Sequence, residues 1–346
     1  MTAPKWGGPW IGVVTGSAAN LDFNVLNNDS WKVEAYHVAG YPSPTGLTKI
    51  SAAPPANRYN WIDGREVTGH YYYENGNVVY RTDGDPTAPT EETMGTVPGA
   101  GDAESASVSP AASYWFHFVD PTWQVYKVLH SGGGVSALGD ALTLTHNPNG
   151  IGDVARVVNG KVFIGGSQLP GAGLCDFLVL SLGEGGSGAW TEEKRIVGSN
   201  PGGVYNSPSC QDLYGNATHV YASGIVETTD VAASIVHGVF RSAGAGSWSQ
   251  IYAPTPVSGV DMIRTIWARG DQIVVKLFKV SGAIPESVRY SPDGGATWST
   301  VGSMHKFFYV GEVAADQHVF VDYDPDLDAY QGYWLEGGTF TPISVT

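Results

Sequence analysis

The feature that most constrains this chain is a unit that recurs between residues 152 and 345. Each copy has an apolar strand, a turn built on Asn-Gly or Gly-Asp, a second and a third strand, and another turn. The clearest copy is VDMIRTIWARGDQIVVKLFKV…ESVRYSPDGGATWSTV at 260–301. GDVARVVNGKVFIGGS…CDFLVLSLGEGGSGAWTEE at 152–193 follows the same order. SCQDLYGNATHVYASGIV…HGVFRSAGAGSWSQIY at 209–252 is a third, and KFFYVGEVAADQHVFVDY…AYQGYWLEGGTFTPISV at 306–345 a fourth. Three third-strand endings, RYSPDGGATW, VLSLGEGGSGAW and FRSAGAGSW, arrive at a tryptophan through glycines. Four strands repeated every roughly 45–55 residues are the signature of a β-propeller.

The earlier part of the chain is less regular but equally rich in strands. NVLNNDSWKVEAY (24–36) reads as a third strand, turn and fourth strand, and YNWIDGREVTGHYYYENGNVVYRTDGD (59–85) as three strands. YWFHFVDPTWQVYKVLHSGG (114–133) holds two or three more. In SYWFHFV both sides of the strand are apolar, as in a sheet buried on two faces. No segment has a convincing amphipathic helical pattern; WTEEKRIVG at 190–198 is better read as a turn entering a strand. The expected architecture is all-β: one propeller domain over 1–346, with seven four-stranded blades and six as the fallback. Pro- and Gly-rich stretches near 41–56 and 86–112 are expected to be loop insertions.

Composition excludes several classes. Charged residues are only 15%, aromatics 12%, and there are 46 glycines, a balance suited to short strands and tight turns. Eighteen basic against 33 acidic residues give a net charge of −15, with no clustering of Lys and Arg, so specific nucleic-acid binding is not expected. No apolar run is long enough to span a membrane, and the opening MTAPKWGGPWIGVV is a poor signal peptide. Cys175 and Cys210 fit two buried thiols better than a bridge, though a bridge stays open.

The densest short motif is YSPDGGATWSTV at 290–301, whose core Ser291-x-Asp293-x-Gly295-x-Thr297-Trp298 reads S-x-D-x-G-x-T-W. This run resembles an Asp-box, or BNR repeat, of the sialidase-like β-propellers. SAGAGSW at 242–248 keeps Ser242, Gly246 and Trp248 but has Gly244 in place of Asp, and TDGDPT at 82–87 is fainter. The resemblance implies a structural hairpin between the third and fourth strands of a blade, away from the catalytic face. The residues support the same reading. Ser and Asp side chains accept hydrogen bonds from their own turn, adjacent glycines permit positive φ, and a tryptophan can bury a large ring between blades.

A sialidase-like hydrolase is the enzymatic alternative that the resemblance implies. Its early R-I-P motif is absent, since AIPES at 283–287 lacks the arginine, although Arg241, Arg264 and Arg289 could face a propeller centre. No G-x-S-x-G or H-E-x-x-H occurs, and Gly183-x-Gly185-x-x-Gly188 is better read as a hairpin tip than as a dinucleotide loop. Asp63 and Glu66 could pair for glycoside hydrolysis, with a turn the better reading.

Asp322, Asp324, Asp326 and Asp328 alternate as calcium ligands do. Leu327 and Tyr333 stand where a calcium loop needs Gly and Glu, so a solvated hairpin is favoured and no cofactor is expected beyond that calcium alternative. Tyr71, Tyr72, Tyr73, Trp115 and Trp123 could stack on a host surface glycan, against core packing as the plainer role.

Together these readings favour a non-catalytic structural or binding propeller over a glycan-active hydrolase or a lectin-like glycan binder. In style the chain resembles bacteriophage virion proteins of the tail: a nozzle, a tip or a receptor-binding part. The expected partners are other subunits, including copies of itself. The expected location is the virion, and otherwise the cytoplasm.

Overall fold

A computed structural model describes residues 11–14, 20–27, 32–39, 46–53, 59–68, 70–82, 91–99, 103, 105–119, 122–132, 134–143, 154–171, 174–197, 209–216, 218–228, 235–243, 246–252, 261–279, 287–303, 307–314, 317–324, 329–337 and 339–343. These residues form seven four-stranded antiparallel sheets, each made from four consecutive strands.

The first sheet is β1 (Ile11–Val14), β2 (Asn20–Asn27), β3 (Lys32–Ala39) and β4 (Gly46–Ala53). The second is β5 (Tyr59–Gly64), β6 (His70–Asn75), β7 (Val78–Thr82) and β8 (Glu91–Thr96), with one helical turn, α1 (Arg65–Thr68), before β6. The third is β9 (Ser105–Val108), β10 (Ala112–Val119), β11 (Thr122–Leu129) and β12 (Val135–Leu142). The fourth is β13 (Val154–Val158), β14 (Lys161–Gly171), β15 (Leu174–Gly183) and β16 (Thr191–Ile196). The fifth is β17 (Ser209–Gly215), β18 (Val220–Thr228), β19 (Ile235–Ser242) and β20 (Trp248–Tyr252). The sixth is β21 (Asp261–Arg269), β22 (Gln272–Lys279), β23 (Ser287–Ser291) and β24 (Ser299–Ser303). The seventh is β25 (Phe307–Ala314), β26 (Gln317–Asp324), β27 (Ala329–Glu336) and β28 (Thr339–Ile343).

Local chemistry explains the tight turns. Gly76 and Asn77 between β6 and β7, and Asn159 and Gly160 between β13 and β14, all have positive φ. That pair of conformations suits a two-residue hairpin, and Asn and Gly are the residues that reach it most cheaply.

The core lies between successive sheets. Tyr72, Val79 and Met94 of the second sheet pack with Trp115 and Val128 of the third. Tyr114, Phe116 and Trp123 pack with Val162, Ile164 and Leu178 of the fourth. Phe163, Phe177 and Val179 meet Leu213, Val220 and Phe240 of the fifth. Tyr221 and Val239 meet Ile273 and Val275 of the sixth, and Trp267 and Val274 meet Phe320 and Leu335 of the seventh. The order closes on itself because β1 and β2 lie against β25. Among the described residues, no strand of the first sheet pairs into the seventh.

The outermost pair of strands is interrupted at matching places in six sheets. The skipped residues are Ile50 in β4, Met94 in β8, Glu193 in β16, Ile251 in β20 and Val301 in β24, with a wider irregularity around Gly139 in β12. Such bulges bend a strand and re-aim a side chain. Met94 is buried in the core shared with the third sheet, and Val301 packs on the core shared with the seventh. The β27–β28 pair runs in unbroken register.

Three sequence expectations differ from the structure. Residues 24–36 span the second and third strands of their sheet, not the third and fourth. The stretch 41–56, expected as a loop, contains β4, and 86–112 contains β8 and β9. These strands sit at sheet margins or use small residues, so they lack the alternation that marks a half-buried strand. In β8 only Met94 is buried, and in β9 it is Ala106 and Ser107.

Candidate functional site

The Ser291–Trp298 run forms the hairpin between β23 and β24. Ser291 is fully buried. Its hydroxyl donates to Asp293 Oδ1 at 2.8 Å and accepts the Gly295 N–H at 2.8 Å. Asp293 Oδ1 also accepts the Thr297 N–H at 2.8 Å, and its Oδ2 accepts the Thr297 hydroxyl at 2.6 Å. These contacts with Thr297, followed by those with Ser291 and the Ala296 N–H, hold the Asp293 carboxyl down at about 2. A carboxylate bonded to several N–H and O–H donors is stabilised in its charged form. Both of its oxygens are thus engaged inside the turn.

Outside the turn, the hairpin reaches back to the fifth sheet. Trp298 Nε1–H donates to the Ile251 carbonyl at 3.0 Å, where β20 bulges, and also to the Gly295 carbonyl at 3.1 Å. Its ring lies on Tyr252 with centroids 4.6 Å apart. Arg241 of β19 donates from Nη1 to the Gly294 carbonyl at 2.8 Å, and Gly294 N–H donates to the Asp271 carbonyl at 2.7 Å. Gly295 has φ +95°, and a Cβ there would stand 2.7 Å from Ile251 Cβ, so both conformation and space require glycine. Arg241, which could have faced the ring centre as a substrate anchor, is instead held by this hairpin.

Two neighbouring hairpins repeat the tryptophan. Trp190, just before β16, donates its indole N–H to the Asp140 carbonyl at 3.0 Å, in the irregular stretch of β12. Trp248 of β20 packs against the core shared by the fourth and fifth sheets, but its buried Nε1 has no hydrogen-bond partner among the described residues. Trp190 was visible in sequence only as the end of GEGGSGAW, and its clasp was not foreseen.

The aromatic candidates for glycan stacking are core residues. Trp115 and Trp123 are 0% exposed, as is Tyr72, while Tyr73 is 1% exposed. Phe116 stacks on Trp123 at 4.7 Å, and Tyr72 stacks on His130 at 4.7 Å. A sugar cannot stack on rings that neighbouring sheets already cover; the side chain of Tyr71 lies outside the described residues. Asp322 and Asp324 lie on β26, opposite Gln331 and Ala329 of β27, while Asp326 and Asp328 lie outside the described residues. Among the described residues no group of three or more His, Cys, Asp or Glu is placed to hold a metal. Cys210 is buried, with its thiol 3.6 Å from the Asp212 carbonyl, and the side chain of Cys175 lies outside the described residues. Arg264 and Asp63 have no described side chains, so the alternative anchor and carboxylate pair they offered lie there too.

Two buried charged features were not legible in the sequence. Arg156 of β13 is 7% exposed and donates from Nη1 to the Ala155 carbonyl at 3.1 Å. Burial lowers its pKa, opposed by the nearby Asp212 carboxylate and by Tyr214. Glu74 of β6 is fully buried. Its Oε2 accepts the Ala103 N–H at 2.7 Å, and its Oε1 lies 3.2 Å from His117 Nε2 of β10. Both features sit between sheets, where charge is expensive to bury unless partnered.

No family model matches the chain, and no curated protein matches it either. Solved structures do resemble it. One is an oligogalacturonate lyase from Vibrio parahaemolyticus, 10% identical, with a TM-score of 0.56 over 92% of this chain and 86% of that one. Another is the β-propeller domain of the Trilobed protease from Pyrococcus furiosus, described as having an open velcro topology. It is 6% identical, with a TM-score of 0.51 over 97% of each chain. The fold is a β-propeller. A prolyl endopeptidase is also similar, 11% identical with a TM-score of 0.52, and this propeller spans half of that chain's length while 98% of its own is covered. At these identities the likeness concerns the fold alone. No helix among the described residues is long and apolar enough to cross a membrane.

Proposed function

We propose that the chain is a non-catalytic, seven-bladed propeller of the Asp-box type that serves as a structural or binding part of a bacteriophage tail. One observation carries the non-catalytic half. The motif richest in chemistry spends its groups on fastening, with both Asp293 oxygens bonded within the turn and the Trp298 indole bonded to the preceding sheet. The motif also supports the Asp-box assignment, since each residue type has a distinct role in the turn. For the virion half, the support is the style of the sequence: a glycine-rich all-β chain with few charges and a net charge of −15. Such a surface favours solubility and would let a nucleic acid pass without adhering. As a tail component the chain would join other subunits, including copies of itself.

The test of the non-catalytic half is incubation with sialosides and with neutral and acidic polysaccharides, read as reducing ends or free sialic acid. The expected result is no release above the uncatalysed rate. Hydrolysis that survives repurification would overturn the proposal and establish the glycoside hydrolase; saturable binding without hydrolysis would make it the lectin-like form of the binding role.

A further inference from the structure

We infer that the seam between the second and third sheets is an acid-sensitive joint, loosened when the His130 ring takes up a second proton. His130 follows β11 and is anchored to its own sheet, where its N–H donates to the Ala111 carbonyl at 3.0 Å. Its ring crosses to the second sheet and stacks on Tyr72, with centroids 4.7 Å and planes 19° apart. Tyr72 is fully buried and belongs to the core that the two sheets share. The stack is therefore part of the fastening.

Hydrogen bonding fixes where the ring carries its proton. The Tyr72 hydroxyl donates its one hydrogen to Thr68 Oγ1 at 3.0 Å, so it turns only lone pairs toward His130 Nδ1, 3.5 Å away. The Pro110 carbonyl, an acceptor alone, lies 3.3 Å from the same nitrogen. Nδ1 thus holds the hydrogen, and Nε2 is left with its lone pair. Nε2 is buried and has no hydrogen-bond partner among the described residues. A second proton there makes a charged donor with nothing to accept it.

The surrounding charges oppose that proton as well. Arg81 of β7 stands directly opposite Tyr72, and His70 of β6 lies two residues before it on the same face. Burial first, then the charges of Arg81 and His70, lower the His130 pKa from 6.5 against the raising effect of the Pro110 carbonyl. Glu92 of β8 is already paired with Arg81, and Lys127 of β11 is directed to the Glu184 carbonyl at 2.7 Å. Two residues beyond Tyr72, Glu74 lies 3.2 Å from His117 of β10, so a charge on that histidine faces a carboxylate. A charge on His130 faces Arg81 instead. The unfolded chain protonates His130 before the folded one does. Its stabilisation is therefore whole above about 6.5 and is lost as pH falls below that, toward the folded-state value. A charged ring regains water by leaving Tyr72, which uncovers that end of the shared core.

Two measurements on the full chain test this. Followed by NMR from about pH 8 to about pH 5, the His130 ring should titrate below 6.5. Hydrogen exchange, corrected for its intrinsic pH dependence, should show protection in β6–β8 and β10–β12 falling several-fold from about pH 7.5 to about pH 5.5. Peptides from β14, β15, β18 and β19 should hold their protection over the same interval. His130→Phe keeps a ring on Tyr72 that cannot be charged and should lose the response; His130→Gln, which also cannot be charged, should lose it too, and serves if Phe does not fit. Titration of His130 at or above 6.5, an equal loss of protection in all sheets, or an undiminished response in the variants would overturn the inference.

Discussion

Two hairpins one sheet apart, Ser242–Trp248 and Ser291–Trp298, share a pattern of Ser, Gly and Trp but differ in chemistry. The sixth-sheet hairpin keeps Asp293 and organises its turn through that carboxylate, which places Trp298 against Ile251 and Tyr252. The fifth-sheet hairpin has Gly244 at the matching position. Trp248 nonetheless packs on the preceding sheet, without a described partner for its indole N–H. The ring's position against the previous sheet therefore does not depend on the aspartate; the hydrogen bond at its edge accompanies it. Tryptophan supplies packing, and the Asp turn supplies aim.

This contrast can be broken by substitution. The largest effect expected is from Trp298→Ala, which removes a half-buried ring and its bond to Ile251 and should cost about 3 kcal/mol in urea unfolding. A cost below about 1 kcal/mol, the size of a single hydrogen bond, would show that the ring is not a fastener. Gly295→Ala comes next, at about 2 kcal/mol, because positive φ and overlap with Ile251 act together. Gly246→Ala should cost about 1 kcal/mol, since its φ is +76° but the nearest atom is 3.9 Å away. Equal losses at the two glycines would deny the close approach at Ile251.

Trp298→Phe and Trp248→Phe sharpen the comparison further. The first loses a made hydrogen bond and should cost about 1 kcal/mol, whereas the second should be near neutral because no bond is lost. The smallest effect is the pH dependence of Asp293. Its folded-state pKa of about 2 lies below its unfolded value, so its stabilisation is present above that unfolded value and is lost as pH falls through about 2. In Asp293→Asn that part of the acid-unfolding curve should flatten. The Thr297 amide resonance of the parent should titrate near pH 2; titration near 4, the ordinary carboxylate range, would contradict the bonded carboxylate.

Part of this was legible in sequence because it is local. Ser291, Asp293, Gly295 and Thr297 interact within a single turn, so their spacing carries their geometry. The repeat was legible because inner and middle strands carry successive apolar residues, as in β22, where Ile273, Val274 and Val275 are all buried. The outer strands hid because β8, EETMGT, buries a single side chain. The partners of the hairpin hid for a different reason: Ile251 and Arg241 lie 47 and 53 residues from the groups they meet. Nothing in SYWFHFVDPTW distinguishes a ring that faces solvent from one that faces the next sheet, which is why Trp115 and Trp123 could be read as platforms. Arg156 was one of nine arginines until the fold placed it between sheets.

The assembly half of the proposed function is the claim with most at stake, and the mass of the full chain in solution tests it most directly. Light scattering at micromolar concentration should give a defined multiple of 36.6 kDa, as expected of a subunit that joins copies of itself. A single monodisperse species at 36.6 kDa, unchanged with concentration, would contradict it.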